Sequence, residues 1–215
     1  MSLINAPSFE ELNAYDVNVV GKYEVNRQTL YDTVTYAAAG QSSLTFFQNQ
    51  IGQAGKTAQD TNMTSAGSLP SPVNFLIESI ELIFIPGTSA LAEGATAGVP
   101  YYADMQSFRD NGSLRLTIGD KSQLLEAPLG VFPPKAGLNV NASLSNNITP
   151  AAGTKSVFVF ADMVGRPYYI DVPLLLRPTQ NFDVKLEWKT PLPLPSTTAG
   201  RIICKLDGLR YRLAQ

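Results

Sequence analysis

Residues 74–86 read NFLIESIELIFIP. This is the most apolar run in the chain, with four isoleucines and two phenylalanines, and it carries Glu78 and Glu81 inside it. Three structures compete for it. As a helix, it gathers Asn74, Glu78 and Glu81 on one side of the wheel. As a strand, it puts the two glutamates on opposite faces unless a bulge shifts the alternation. As a membrane span it fails, since 13 residues with two charges fall short of the ~18 uninterrupted apolar residues required. Context selects the strand. The run lies between Pro72 and Pro86 and is rich in β-branched and aromatic residues, which suit a pleated, buried surface. The reading predicts a long central strand. One face packs in a core, and part of the other is covered by an arm, a loop or a neighbouring copy.

The rest of the chain agrees with a β reading. SLRLTIG (113–119) alternates Leu114, Leu116 and Ile118 against Arg115 and Thr117. NFDVKLEWK (181–189) alternates Phe182, Val184, Leu186 and Trp188 against Asp183, Lys185, Glu187 and Lys189. Further strands are predicted at 29–38, 43–49, 137–145, 156–163, 168–176 and 201–215. Pro and Gly punctuate between them, at 70–72, 86–87, 98–100, 133–134, 165–167 and 191–195. Eight to ten short strands divided by turn signals predict an all-β fold, a two-sheet antiparallel sandwich of jelly-roll type. Helices are few. Ser8 to Glu11 fits a capping box, and YYADMQSF (101–108) makes a second short helix. It precedes Asn111-Gly112, a tight-turn signal. Residues 50–72 and 85–100 are long, small-residue loops of the kind that pack against something or serve a function.

Composition narrows the function. The 215 residues suit one all-β domain, long enough to bury a core without staples. Charged residues make up 16%, below the usual ~25%, which fits a surface hidden against other copies. The net charge is −2 and the Lys and Arg residues are spread singly. That excludes the clustered basic footprint of a phosphate-gripping nucleic-acid binder. The acidic N-terminus lacks the pattern of a signal peptide.

Candidate chemistry is sparse. There is no histidine, hence neither the commonest general base nor the commonest metal ligand. The one cysteine, Cys204, sits among Ile202, Ile203 and Leu206 and reads as a small buried hydrophobe. Glu10/Glu11, Glu78/Glu81 and Asp104/Asp110 are local carboxylate pairs of ordinary density. DTNM (60–63) and RDNGS (109–113) offer oxygen ligands without the spacing of a calcium loop, and Asx-turns account for both. The sequons at Asn62, Asn111, Asn141 and Asn147 reflect Asn/Ser/Thr content. Tyr101, Tyr102, Tyr168 and Tyr169 read as packing residues rather than sugar platforms. No catalytic, cofactor or metal residues are assigned, and the chain does not read as an enzyme.

Three segments carry a resemblance. They are DTNMTSAGSLPSPVNFLIESIELIFIP (60–86), GSLRLTIGDKSQLLEAPLGVFPP (112–134) and NFDVKLEWKTPLPLP (181–195) with GRIICKLDGLRYRLAQ (200–215). In pattern and order they resemble the capsid proteins of icosahedral tailless bacteriophages and their uncultivated marine relatives. The shared features are a polar loop entering a long strand, an L-x-L-x-I-G-D-K-x-x-L strand pair, and a final strand through Leu206-Asp207-Gly208 and Arg212. The resemblance implies a virion structural subunit, made in the host cytoplasm, that self-assembles. Relatives with two fused jelly rolls are longer, so the length favours a single jelly roll over residues 31–215 with an N-terminal arm over 1–30. The partners implied are copies of the chain, as a trimer or higher ring and then a shell, together with other virion proteins. Anchors at such interfaces are aromatic or Arg; Phe9, Tyr15, Tyr23, Phe132 and Arg210 are the candidates. The rival reading is a carbohydrate-binding β-sandwich, an adhesin or receptor-binding module, marked by a compact concavity of aromatic and Asx residues.

Overall fold

The structure is a computed structural model that describes residues 23–85, 99–119, 121–132, 137–146, 155–164, 166–195 and 197–213. Its elements in chain order are β1 (Tyr23–Tyr36), β2 (Ser43–Phe46), β3 (Asn74–Ile85), α1 (Val99–Asn111), β4 (Gly112–Ile118), β5 (Lys121–Pro128), β6 (Gly137–Asn146), β7 (Lys155–Val164), β8 (Tyr168–Leu176), β9 (Phe182–Trp188) and β10 (Gly200–Leu213). The first sheet has the order β1-β10-β3-β8 and the second β2-β9-β4-β5, while β6 and β7 form a separate ribbon. Every pairing within these sheets is antiparallel.

Side-chain alternation explains why the two sheets form a sandwich. In β4, Leu114, Leu116 and Ile118 are buried, and they pair with the equally buried Leu186, Val184 and Phe182 of β9. Phe75, Ile77, Ile80, Leu82 and Phe84 of β3 and Ile202, Cys204 and Leu206 of β10 join them in one contiguous core. Full burial of each such side chain is worth about 1.5–3 kcal/mol over exposure, set against the entropy of ordering the chain.

The run 74–85 is the predicted strand, and it contains the bulge that its glutamates require. Phe75 and Ile77 face the core, and then Ile80, Leu82 and Phe84 do. The ladder to β10 pairs Ser79 with Asp207 and Ile77 with Gly208 and leaves Glu78 as the extra residue. Glu78 and Glu81 therefore share the outer face. Gly208 makes this possible: a Cβ there would lie 1.8 Å from the Leu76 carbonyl oxygen.

Three expectations change. β1 begins at Tyr23, whose backbone pairs with Leu213. Residues 23–30 thus belong to the sheet rather than to an arm, and residues 1–22 lie outside the described residues. The Asn111-Gly112 pair is a helix-to-strand junction, not a tight turn, because α1 ends at Asn111 and β4 begins at Gly112. Asn111 Nδ2 donates to the Ser107 carbonyl at 2.8 Å, satisfying one of the open acceptors at a helix end. Gly112 is needed for packing, since a Cβ would meet Leu129 at 2.4 Å and Trp188 at 2.7 Å. Finally, β5 joins the strands given by alternation; it pairs with β4 from Ser113↔Pro128 to Ile118↔Lys121.

Aromatic rings close the end beneath α1. Phe108 stacks on Phe84 at 5.6 Å and meets Trp188 at 5.4 Å. Trp188 in turn meets Tyr36 edge-on at 5.1 Å. The Tyr36 hydroxyl donates to the Leu192 carbonyl at 2.6 Å, tying the proline-rich 191–195 segment to β1.

Candidate functional site

A two-sheet sandwich presents two outer faces and the edges of its sheets. The outer face of the first sheet carries Arg27, Thr29 and Tyr31 of β1, Lys205 and Asp207 of β10, and Glu78, Ser79 and Glu81 of β3. Arg27 donates to Asp207 Oδ2 through Nε at 3.1 Å and NH2 at 2.5 Å, and it lies 3.4 Å from Glu78. The Thr29 hydroxyl donates to the other Asp207 oxygen at 2.8 Å. The hydrogen bond to Asp207 raises the Arg27 pKa further above its ordinary value, against the opposing effect of burial. Lys205 sits 3.8 Å from Glu81. Between them lies a cleft of about 390 Å³ that also reaches Pro167. Farther along this face Leu76, Leu209 and Tyr211 are buried with Leu175 beside them. The outer side of 74–85 is thus covered at Leu76 and part-open at Glu78, whose side chain is 28% exposed.

The outer face of the second sheet is a polar ladder. Arg115 donates to Glu187 at 2.9 Å and lies 3.6 Å from Glu126; Lys185 donates to Glu187 at 2.6 Å. The Lys185 hydrogen bond holds the Glu187 carboxyl below its usual range, while burial pushes Asp183 up. A wide cleft of about 840 Å³ runs over Ser43, Ser113, Glu126 and Lys189. Exposed pairs of this sort contribute at most about 1 kcal/mol each.

The β1 edge is sealed by the long loop that follows β2. The Thr33 N–H donates to the Asp60 carbonyl at 2.7 Å. The Tyr31 N–H donates to Asn62 Oδ1 at 3.0 Å, and Asn62 Nδ2 donates to the Thr29 carbonyl at 2.7 Å. The Asn62 amide thus imitates the next strand. An ion pair with a fully buried carboxylate fastens the loop: the part-buried Lys56 Nζ donates to Asp32 Oδ1 at 2.5 Å, and the Phe47 N–H donates to Oδ2 at 2.7 Å. Burial pushes the Asp32 carboxyl above its usual range, against these bonds. Phe47 holds φ at 66°, a strained value for a bulky residue that the surrounding bonds must sustain, at roughly 1–3 kcal/mol. Asp60 accepts from the Thr57 N–H and hydroxyl, which holds its carboxyl low.

The β8 edge is different. Its ladder to β3 jumps from Leu174↔Ile77 to Tyr169↔Ser79, leaving 170–173 out of register. Tyr169 is 58% and Val172 68% exposed.

The sequence candidates fall in different places. Phe9 and Tyr15 lie outside the described residues, as do Glu10 and Glu11; Tyr23 starts β1. Phe132 is a correction. It is buried in the core, edge-on to Tyr168 at 5.0 Å, so it anchors its own chain. Arg210 is half-buried and donates to Gln28 at 3.0 Å. Cys204 is fully buried, and desolvation pushes its thiol pKa well up, with Asp32 adding to it. It is packing, as its neighbours implied. Among the described residues no group of three or more His, Cys, Asp or Glu could hold a metal ion, and no helix is long and apolar enough to cross a membrane.

Alternation carries a signal for the buried Asp32. In TLYDTVTY, Asp32 shares the parity of Leu30, Val34 and Tyr36. An acid on the apolar face signals a buried partner. The chain matches no protein-family model, no curated protein and no solved structure.

Proposed function

We propose that the chain is a structural subunit of a virion shell, built on a single jelly roll and assembled through contacts among its own copies. The observation that carries the reading is the strand order, β1-β10-β3-β8 against β2-β9-β4-β5. The chain changes sheet at every connection of the sandwich strands except the β4–β5 hairpin, as nested Greek keys require, and the β6–β7 ribbon is an insertion before β8. The segments that resemble tailless-phage capsid proteins fall on β3, on β4 with β5, and on β9 with β10. This order also occurs in lectins, so function must rest on surfaces. The two charged faces, the sealed β1 edge and the exposed β8 edge suit a block that meets neighbours side by side. Copies form a trimer or higher ring and then a shell, with other virion proteins as further partners.

The carbohydrate-binding alternative draws on one observation, the cleft of about 390 Å³ where Tyr31 and Thr29 stand beside Asp207 and Glu81. Against it, the charges there are already matched by Arg27 and Lys205. Light scattering and negative-stain microscopy of the purified full chain decide. Rings, trimers or shells are expected. A strict monomer at high concentration that is retained on immobilised glycans would replace the shell reading with the second one.

A further inference from the structure

Five large apolar side chains stand exposed among the described residues, and three of them lie at the open edge of the first sheet. Tyr169 and Val172 belong to β8, and Val131 adjoins Phe132, whose ring packs edge-on to Tyr168. Exposed apolar side chains gathered in one place mark a contact surface, where scattered ones mean nothing. The charges at this edge are also unusual. Arginines on the two sheet faces are matched within the chain: Arg27 by Asp207, Arg115 by Glu187 and Arg212 by Glu24. Arg166, two residues before β8, and Asp171, within it, are both exposed, and neither forms an ion pair among the described residues. The edge thus carries an apolar strip with one unpaired charge of each sign.

The backbone of the edge disfavours an added strand. Five steps along β8, from Tyr169 to Leu174, match two along β3, from Ser79 to Ile77. Asp171 and Val172, within the excess, are exposed, and Pro173 has no N–H to give to a ladder. What the edge offers is side chains, and their charges suit a second copy of the same edge. Two copies related by a two-fold axis meet reciprocally, so each residue pair occurs twice. Arg166 of one copy then faces Asp171 of the other, and the reverse. A partner surface of a single sign would leave one of the two charges unmatched. The β1 edge is sealed by its loop, so a β8 contact closes at two copies and does not run on into a continuous sheet. A net charge of only −2 sets little long-range repulsion against it.

We propose that the β8 edge is a two-fold interface between copies of this chain, with Arg166 of each paired to Asp171 of the other around the Tyr169 and Val172 strip. The proposal deepens the assembly reading above and rests on it for the second copy. The test is charge reversal in the full chain, with association followed by sedimentation velocity across a concentration series. Arg166→Asp and Asp171→Arg each set like charges together at both reciprocal contacts, and each should weaken association about tenfold, as expected for two exposed pairs. The double reversal restores opposite charges and should recover the wild-type affinity. The two single variants, mixed, should associate more tightly than either does alone. All these differences should shrink at ~1 M salt, and thermal unfolding of the monomers should match the wild type, since both side chains are exposed. Wild-type affinity in both single variants, with particles still forming, overturns the β8 interface and leaves the assembly reading standing. A double reversal as weak as the singles overturns the reciprocal pairing, and the edge then meets a different surface. Two-copy species that follow the charge pattern but never grow larger keep the interface and sink the shell. A wild type that is monomeric at every concentration overturns both.

Discussion

The first sheet has two edges, and the chain treats them in opposite ways. At β1, the residues around Asp60–Asn62 supply the missing ladder, and the Asp32–Lys56 pair locks them down. At β8, the ladder is broken over 170–173, and Tyr169 and Val172 stand in solvent. An open edge invites pairing with any other strand. Sealing one edge internally and blunting the other by irregularity prevents continuous sheet growth, yet leaves one apolar strip for a side-chain contact. The comparison locates intramolecular stability at β1 and surface chemistry at β8.

Substitutions separate the two. Lys56→Met strands a fully buried carboxylate and is expected to cost about 3–5 kcal/mol, measured by denaturant unfolding at neutral pH. The deficit depends on pH with a definite sign. Burial already raises the Asp32 pKa in the folded state, so the native form binds that proton more tightly than the unfolded chain. Ionising it costs stability as pH rises from the unfolded value near ~3.9 through the raised folded value. The Lys56→Met deficit should therefore shrink on acidification towards pH ~4. A deficit that is flat in pH would mean that Asp32 finds another cation. Asn62→Ala removes two bonds to β1 and should cost about 1–2 kcal/mol, with faster amide exchange at Tyr31 than at the β10-paired positions. Unaltered exchange there would show that the backbone bonds of the loop suffice. Val172→Lys sits at the other edge and should shift monomer stability by less than about 0.5 kcal/mol. If the β8 strip contacts a neighbouring copy, the same variant lowers particle mass; a fall in melting temperature as large as that of Asn62→Ala would erase the contrast between the edges.

Legibility followed the range of the interaction. β4 and β9 could be read directly, because alternation is a local property and both strands bury one face completely. The stretch 74–85 could be read as a strand but not as to which way its glutamates point. That depends on Gly208, 130 residues later, where a missing Cβ lets β3 gain a residue. Asn111-Gly112 misled because a dipeptide preference for turns is weaker than a helix capped by Asn111 and a glycine wedged under Trp188. The Phe132 ring suits an interface anchor as well as a core, and it packs on Tyr168 of the same chain. Aromatic rings serve cores and interfaces equally, so sequence does not separate the two.

By itself, the sequence determined the β class, the position of most strands, the inert burial of Cys204 and the absence of a basic footprint. Each of these follows from composition or from the two-residue period of a strand. Only the tertiary structure decided the sheet order, the shared outward face of Glu78 and Glu81, and the closure of the β1 edge by Lys56 and Asn62. Those are contacts between residues far apart in the chain, and their energies exist only once the sheets have brought the partners together.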